Sequence, residues 1–436
     1  MRNLDLRWLL CVITAGTAAP VVAQERFEQE PILYTTAASQ DRVAQLQTQL
    51  ARDTTLLTHG GHSGYLKSLL IRLEIDAASQ VLVFSQTSLQ LRQISPHRPR
   101  AIYYNDDAYV GWVQHGDVIE IAAVDPQLGT VFYTLRQAPD KPPRLVRDRG
   151  QCLSCHASAR TQSVPGLLMR SVYCDASGRP WFGAGTYTTD HTSDFRKRWG
   201  GWYVTGQHGT MRHMGNALSL DREAPTQIDR EQGANLTDLE TRFPVEPYLR
   251  KTSDIVSLMV LAHQTQMHNR ITLANHETRQ ALHYDTVMNK ALERPADFIS
   301  ATTRRRIQSA AQQLVRYLLF TDEFPLSAPL KGEAAFQRQF TARALRDRQG
   351  RSLRDLDLKT RLFKYPCSYL IYSKSFRDLP PAVKTEVLNQ LREALLGEAV
   401  AAHLPPDQRQ AIASILSETL PGFRPRRAAA ASPPDR

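Results

Sequence analysis

The chain has 436 residues, a formal net charge of +11 and five cysteines. A chain of this length can bury one large core or two smaller ones. Its Lys and Arg residues are spread along the sequence, without a basic run interleaved with aromatic residues, which disfavours a nucleic-acid-binding protein. Beyond the first 23 residues no apolar stretch is long enough to cross a bilayer, so we expect no transmembrane segment in the mature protein.

Residues 1–23 have the pattern of a secretory signal peptide. Arg2 and Arg7 stand close to the apolar run 8–13, and Val21-Val22-Ala23 offers a cleavage site before Gln24. An uncleaved anchor is the weaker interpretation, because the apolar run is too short to span a membrane. Cleavage would remove two Arg and one Asp, leaving a net charge of 11 − 1 = +10. We therefore expect an exported protein, periplasmic in a bacterium.

The next part of the chain reads as a lead with one short helix, followed by a β-rich region. Residues 24–68 form the lead, with a helix from Gln40 to Ala51 and a glycine-rich loop at 59–64 in which His59 and His62 lack a third metal ligand nearby. Residues 69–220 form the β-rich region. Its short β-branched and aromatic runs, separated by turn residues, predict antiparallel strands at 69–75, 81–84, 101–104, 109–113, 118–121 and 131–135.

A short motif, Cys152-Leu153-Ser154-Cys155-His156, follows these strands. Its spacing is that of a covalent haem attachment site, in which both thiols form thioethers with the porphyrin vinyl groups and the histidine ligates the iron. The plainer interpretations are an exposed thiol pair or half of a zinc site. Zinc would require a second Cys or His pair at matching spacing, whereas Cys11, Cys174 and Cys367 stand alone.

The motif lies between strands. A hairpin is predicted after it, with strands at 167–173 and 181–187 around a turn at 175–178. A stretch rich in Gly, Trp and His follows at 198–216, with neither helical nor strand periodicity; it could wall a haem or simply be a packed loop. Cys174 and Cys367 could pair in an oxidising compartment or remain two buried thiols.

From residue 250 to 420 the pattern is helical, and the tail 421–436 is predicted to be disordered. A long helix is expected from Asp254 to Arg279, capped by Thr252 or Ser253, and four more at 295–320, 334–347, 379–396 and 406–417. The predicted fold class is therefore α+β: a mainly antiparallel β N-terminal half that carries the haem loop, packed against an α-helical C-terminal half.

Through Cys152, Cys155 and His156, together with the export signal, the chain resembles the c-type cytochromes. The resemblance covers only these few residues. It implies one covalent haem c with its iron and an electron-transfer role. The motif lies in mid-chain and between strands, which departs from the small all-helical members of that family, where it stands near the N-terminus.

The sixth iron ligand decides the chemistry, since a strong Met or His gives a closed site and its absence an open one. His213, in the Gly/Trp/His-rich stretch, is the leading candidate. His263 and Met267 are the alternatives, because they are four residues apart on the apolar stripe of the long helix. A packed core His or Met is the competing interpretation at each position, and an open or water-bound iron is the remaining one.

Three functions follow as hypotheses. The first is an exported single-haem cytochrome that exchanges electrons with a partner protein, an acidic one if the basic charge serves docking. The second is a peroxidase- or oxygenase-like haem enzyme with an open iron position, for which His208, Arg212 and His213 are candidate distal groups. The third is a haem-based sensor or scaffold.

Overall fold

The structure is a computed structural model that describes residues 25–397 and 401–423. The predicted signal peptide lies outside the described residues, as does the tail from residue 424 onward. The first three residues of that tail are described, and Phe423 is fully buried in the core. The prediction of a disordered tail is therefore wrong for residues 421–423, because an aromatic ring at the end of the last helix packs inward.

The described strands form one seven-stranded antiparallel sheet and a separate two-stranded hairpin. The order in the large sheet is β6-β5-β4-β3-β2-β1-β9, and β7 pairs with β8. The strands are β1 (Val81–Val83), β2 (Arg100–Tyr104), β3 (Ala108–Trp112), β4 (Val118–Asp125), β5 (Gly129–Arg136), β6 (Leu145–Arg147), β7 (Arg170–Val172), β8 (Thr186–Thr188) and β9 (Trp202–Tyr203).

Helices dominate the C-terminal half, which together with the sheet confirms the α+β class. None of the described helices is both long enough and apolar enough to cross a membrane. The helices are α1 (Arg42–Leu50), α2 (Leu66–Arg72), α3 (Leu153–His156), α4 (Ile255–Ala291), α5 (Ala301–Leu318), α6 (Ala334–Ala342), α7 (Lys374–Arg377), α8 (Pro381–Leu396) and α9 (Pro406–Thr419).

The sheet is buried on both faces. Along β4 and β5, Ile121 and Tyr133 point into a core shared with α1 and α2, whereas Val124 and Phe132 point into a core shared with α4 and the other C-terminal helices. This is the period-two alternation of a strand between two apolar layers. The N-terminal β half and the helical half are thus joined through one face of the sheet.

One predicted strand is a helix instead. Residues 69–75 were expected to alternate in a strand, but α2 covers residues 66–72. The buried leucines of this segment are Leu66, Leu69, Leu70 and Leu73, whose spacing of three and four residues places them on one helical face, while Ile71 is 75% exposed. The apparent alternation came from a short window that contains only part of this stripe.

The other predicted helices, and the strands predicted between residues 81 and 135, are confirmed with shifted ends. The strand predicted at 181–187 is confirmed only at its end, because Phe182–Ala184 form a 3-10 turn and β8 begins at Thr186. The long helix begins at Ile255 and continues to Ala291, and its cap is Asp254, whose carboxylate accepts from the backbone N–H of Ser257 at 2.9 Å. Thr252 and Ser253, the predicted caps, precede it. The predicted hairpin is β7 paired with β8, with its turn closed by Gly178 N–H donating to the Asp175 carbonyl at 3.0 Å.

Candidate functional site

The Cys-Leu-Ser-Cys-His motif forms the one-turn helix α3, between β6 and β7. Asp148, just after β6, stabilises the segment that leads into this turn. Its carboxylate accepts from the backbone N–H groups of Gly150 and Cys152, each at 3.0 Å. The turn itself is held by the N–H of His156 donating to the Cys152 carbonyl at 3.0 Å. These bonds place the two cysteines and the histidine on a single compact turn, as expected from the motif.

His156 has its two ring nitrogens in different surroundings. Nδ1 lies 2.9 Å from the carbonyl oxygen of Gly166, and the ring packs on Phe132 of β5 with centroids 4.8 Å apart. Burial lowers the pKa of His156, so the ring is neutral near pH 7. A carbonyl only accepts, so Nδ1 carries the proton and Nε2 keeps its lone pair. The structure gives Nε2 no hydrogen-bond partner among the described residues.

The two thiols differ in exposure. Cys155 is exposed and Cys152 is half-buried, packed against the core on the α4 side of the sheet. Burial, reinforced by the nearby charge of Asp148, raises the pKa of Cys152 to about 12. Both sulfurs are unpaired in the structure, so neither is committed to a disulfide.

Helix α4 holds the loop that supplies the partner of His156. The side-chain amide of Asn269 forms two hydrogen bonds with the backbone of Leu167. Its Oδ1 accepts from the Leu167 N–H and its Nδ2 donates to the Leu167 carbonyl, each at 2.8 Å. Gly166 lies so close to this amide that an added Cβ would stand 2.3 Å from Asn269 Oδ1. Asn269 is fully buried. The position of the Gly166 carbonyl is therefore fixed by a residue about one hundred positions away.

The segment around the motif is strongly basic. Residues 136–170 contain seven Lys or Arg and two Asp, a net charge of +5, half of that expected for the mature chain. None of these seven cations forms an ion pair with a described residue. The pKa of Arg170 is lowered mainly by burial and further by the charge of Arg160, whereas Cys155 acts in the opposite direction. Arg170, which has no ion-pair partner among the described residues, thus lies near both the exposed cysteine and Arg160.

His213 is buried in a different place. Its ring contacts Phe195, Trp199 and His208, with centroids 5.9, 5.3 and 4.7 Å away, and neither ring nitrogen has a hydrogen-bond partner among the described residues. Burial holds its pKa well below the usual range. No ring contact or hydrogen bond joins His213 to His156 in the described part of the chain.

The loop of His213 and the loop after His156 also contact α4 at different positions along its axis. Gly206, in the loop of His213, packs against Ile255 at the first turn, whereas Gln162, in the loop after His156, bonds Gln266 at 2.9 Å. These helical positions are about 16 Å apart along the axis, at about 1.5 Å per residue. The two loops are therefore held at different positions along this helix, although Met214, next to His213, also lies against β7, with its sulfur 3.7 Å from Ser171 Oγ.

The alternative ligands on α4 make no ring contact or hydrogen bond with the motif in the described part of the chain. His263 lies in an aromatic cluster and uses both ring nitrogens, Nδ1 with His191 Nδ1 at 2.9 Å and Nε2 with Ser368 Oγ at 2.8 Å. Met267 is fully buried. On the helix it is turned by about 100° from Gln266 and about 160° from Asn269, the residues that face the loop after His156.

The remaining described cysteines are two lone buried thiols. Cys174 belongs to the core on the α1 side of the sheet, and Cys367 to the core on the α4 side. Burial raises the pKa of Cys367 to about 12. The disulfide that the sequence left open is not formed.

Sequence reasoning missed Asp148, Gly166 and Asn269. The first carried a weak local signal, since an Asp four residues before Cys152 can accept from backbone N–H groups in a turn. Gly166 and Asn269 carried none, because their roles depend on contacts between distant parts of the chain.

Within residues 25–397 and 401–423, no three His, Cys, Asp or Glu side chains are grouped in a way that could hold a metal ion. Comparison of the chain with protein-family models, with curated proteins and with solved structures finds no match.

Proposed function

We propose that this protein is an exported, periplasmic single-haem c-type cytochrome that exchanges electrons with a partner protein. Cys152 and Cys155 would form the two thioethers, and His156 would ligate the iron through Nε2. The observation that carries the proposal is the 2.9 Å hydrogen bond from His156 Nδ1 to the Gly166 carbonyl.

That bond prepares the histidine for a metal. Histidines that ligate metals commonly donate their other ring N–H to a carbonyl or carboxylate, which fixes the tautomer and makes the ligating nitrogen more basic. His156 has this arrangement, with Phe132 against its ring and Asn269 holding the loop of Gly166. A histidine serving only as a surface residue needs none of these supports.

The arginines beside Cys155 suit the same cofactor. Haem carries two propionate carboxylates, and Arg forms stronger, often bidentate hydrogen bonds with carboxylates. Arg170 lies near the exposed thiol and near Arg160, and neither arginine pairs with a described acidic residue. We propose that at least one of them binds a propionate, which would also relieve the repulsion between the two cations.

The basic surface supports an acidic redox partner. The exposed residues Arg136, Lys141, Arg144, Arg149 and Arg160 surround the motif in sequence and have no ion-pair partners among the described residues. A cluster of one sign of charge near a redox centre steers oppositely charged partners and raises the rate of encounter. We therefore propose that electrons enter or leave on this side of the protein.

The test is expression of the full precursor in a bacterium that matures c-type cytochromes, followed by haem staining of the denatured protein. Wild type should retain haem after denaturation, and the double variant Cys152→Ser/Cys155→Ser should not. His156→Ala should change the spectrum of any haem that is still attached. Cys174→Ala and Cys367→Ala are the matched controls, because they remove thiols outside the motif. Absence of stain from soluble wild type would refute the proposal.

A second candidate is a ligand-binding or peroxide-reacting haem protein with an open sixth position. It is favoured by the placement of the three expected sixth ligands: His213 in a separate ring cluster, His263 with both nitrogens engaged, and Met267 turned toward another face of α4. Carbon monoxide and cyanide distinguish the two. Ready binding with high-spin bands supports the open site, and an unresponsive low-spin spectrum supports electron transfer alone.

A further inference from the structure

One row of side chains crosses five strands of the large sheet next to the motif. Strand pairing aligns, in order from β6 to β2, the residues Val146, Thr134, Glu120, Gly111 and Ile102. This set, the Gly111 row, lies on the α4 side of the sheet, because Ala122 and Phe132, two positions away along β4 and β5, belong to the core on that side. It therefore shares a sheet face with the ring of His156, which packs on Phe132.

The neighbouring row on this face is covered by the motif and by α4. His156 lies against Phe132, and Gln264 Nε2 of α4 donates to the Tyr109 hydroxyl at 2.6 Å. The Gly111 row is two residues further along each strand, a distance of about 7 Å. It is only partly covered, since Thr134 is half-buried and Val146 is 49% exposed. A partly exposed sheet surface thus begins within one row of the residue that supports His156.

An ion pair lies along this surface. Arg100 of β2 reaches across β3 to Glu120 of β4, with Nη2 2.7 Å from Oε2 and 20% and 15% of the two side chains exposed. The guanidinium lies directly over Gly111, where an added Cβ would stand 2.3 Å from Nη2 and 2.7 Å from Cζ. Gln90 Nε2 donates to the other carboxylate oxygen of Glu120 at 3.1 Å. The pair is therefore held against the sheet, and glycine at position 111 leaves the room for it.

Both charges of the pair act on the motif. Burial is the main cause of the lowered pKa of His156, Arg100 lowers that pKa further, and Glu120 raises it. Burial is also the main cause of the raised pKa of Cys152, on which Glu120 acts more strongly than Arg100. The arginine thus acts more on the histidine and the carboxylate more on the thiol, so the pair has a defined orientation relative to the motif.

We propose that the Gly111 row is the surface against which the haem packs, and that the Arg100–Glu120 pair sets its midpoint potential. The inference rests on the proposed attachment of haem at Cys152 and Cys155. A planar guanidinium held against a sheet suits this role, because Arg stacks on flat aromatic systems. Reduction adds one electron to the iron, so a nearby cation favours the reduced state and a nearby carboxylate favours the oxidised state.

The location is tested by labelling a new thiol on the surface, Thr134→Cys, with a maleimide. In the haem-loaded protein the thioethers occupy both motif thiols, and the two other cysteines of the mature chain are buried. The reference is the same substitution in the haem-free Cys152→Ser/Cys155→Ser variant. We expect haem to slow labelling at least about tenfold, since thiol reactivity follows exposure. Thr54→Cys, exposed in the lead segment, is the control and should label equally fast in both forms.

The role of the ion pair is tested by redox titration. Arg100→Gln should lower the midpoint potential and Glu120→Gln should raise it, each changing the equilibrium constant for reduction about tenfold, or about 59 mV for one electron. The double variant should return close to wild type. Arg306→Gln is the matched control, because Arg306 forms an equally long ion pair with Glu277 between α5 and α4, and it should leave the potential unchanged.

The outcomes separate this inference from the proposed function. Absence of haem from soluble wild type would refute the attachment, and the inference with it. Attached haem with equal labelling of Thr134→Cys in both forms would overturn the inference alone. So would potentials that do not change, or that shift in the same direction for Arg100→Gln and Glu120→Gln, because a purely structural disturbance has no reason to follow the sign of the charge removed.

Discussion

Nδ1 of His156 lies 2.9 Å from the carbonyl oxygen of Gly166, and that carbonyl belongs to a loop clamped by α4 through Asn269. The tautomer of the candidate iron ligand is thus determined by a fully buried amide more than one hundred residues away in sequence. The attachment motif is local, but the support of its histidine is not. This relationship can be tested without knowing the redox partner.

Replacement of Asn269 by Ala should destabilise the protein and, on the proposal that His156 ligates a haem iron, should also perturb that haem. Two buried backbone groups of Leu167 would lose their partners, at about 1 to 3 kcal/mol each. With the Gly166 carbonyl released, His156 becomes a weaker donor to iron, so we expect the midpoint potential to rise. Urea denaturation and redox titration would measure the two effects.

Asn275→Ala is the matched control for this change. Asn275 is buried on the same helix and donates to the Pro126 carbonyl at 2.9 Å, away from the motif. It should cost stability while leaving the potential unchanged. Gly166→Ala should resemble Asn269→Ala, because its Cβ would displace the amide oxygen. Equal potentials in all three variants would contradict the supporting role of Asn269.

The protein should lose stability as the pH falls below about 6.5. Burial lowers the pKa of His191 and of His268 to about 4, from an ordinary value of 6.5. Between these values the unfolded chain binds protons that the folded chain does not, so the free energy of unfolding falls as pH falls. Each such histidine contributes a slope of about 1.4 kcal/mol per pH unit, and the stabilisation is complete only above pH 6.5.

His268→Gln isolates one of these protons. His268 Nε2 donates to the Asp106 carbonyl at 2.7 Å, and a glutamine amide can make the same donation. The dependence of stability on pH between 6 and 4.5 should weaken by about one proton in urea titrations. His97→Gln, at an exposed position, should keep the wild-type slope. A slope unchanged by the His268 substitution would show that this histidine is not kept neutral by burial.

The sequence predicted five of the seven strands of the sheet, because most of these alternate visibly, and it missed the short strands β6 and β9. In β4 and β5 every second residue enters one of two apolar cores, so short windows were enough. It failed at residues 69–75, where the leucine face of α2, a helix of about two turns, resembles alternation when only part of it is read. A local pattern predicts an element reliably only where the element is longer than the stretch over which helix and strand patterns look alike.

In the candidate site, too, the residues that are adjacent in sequence were predictable and those that depend on distant contacts were not. Cys152, Cys155 and His156 are adjacent in sequence and share one turn, so their grouping was predictable. The choice among His213, His263 and Met267 depended on which faces of α4 and which loops meet. Sequence spacing could place His263 and Met267 on one face, but not show that this face points toward α5, where Tyr317 stacks on His263.

The placement of these three residues leads to a spectroscopic prediction. His213→Phe and Met267→Leu should leave the spectrum of the proposed haem unchanged, whereas His156→Ala should alter it. Met267→Leu conserves volume in the core and should cost less than about 1.5 kcal/mol. His213→Phe removes two buried nitrogens that lack partners, so its cost should also be small. A changed spectrum in either variant would identify that residue as the sixth ligand and require the loops to rearrange around the haem.

If the protein is the proposed cytochrome, its basic surface should control the rate of electron transfer with small anions. Ferricyanide carries three negative charges, so its reaction with the reduced protein should slow when the local charge is reversed. We expect Arg149→Glu/Arg160→Glu to lower the second-order rate about tenfold in 0.1 M salt, where the screening length is about 10 Å and only nearby charges act. Stopped-flow spectroscopy would measure this rate.

A matched pair of arginines on α5 separates local from global charge. Arg304→Glu/Arg305→Glu changes the net charge by the same amount at two exposed positions of the helical half. The start of α5 meets α4 at Ala281, through Thr303, about 22 Å along the helix from Gln266 at about 1.5 Å per residue. In 0.1 M salt the rate of this double variant should stay within about twofold of wild type, because a charge more than one screening length from the motif has little effect on the encounter. If both double variants slow the reaction equally, electrons do not pass through the surface around the motif. If only the Arg149/Arg160 variant is slow, that surface is the route.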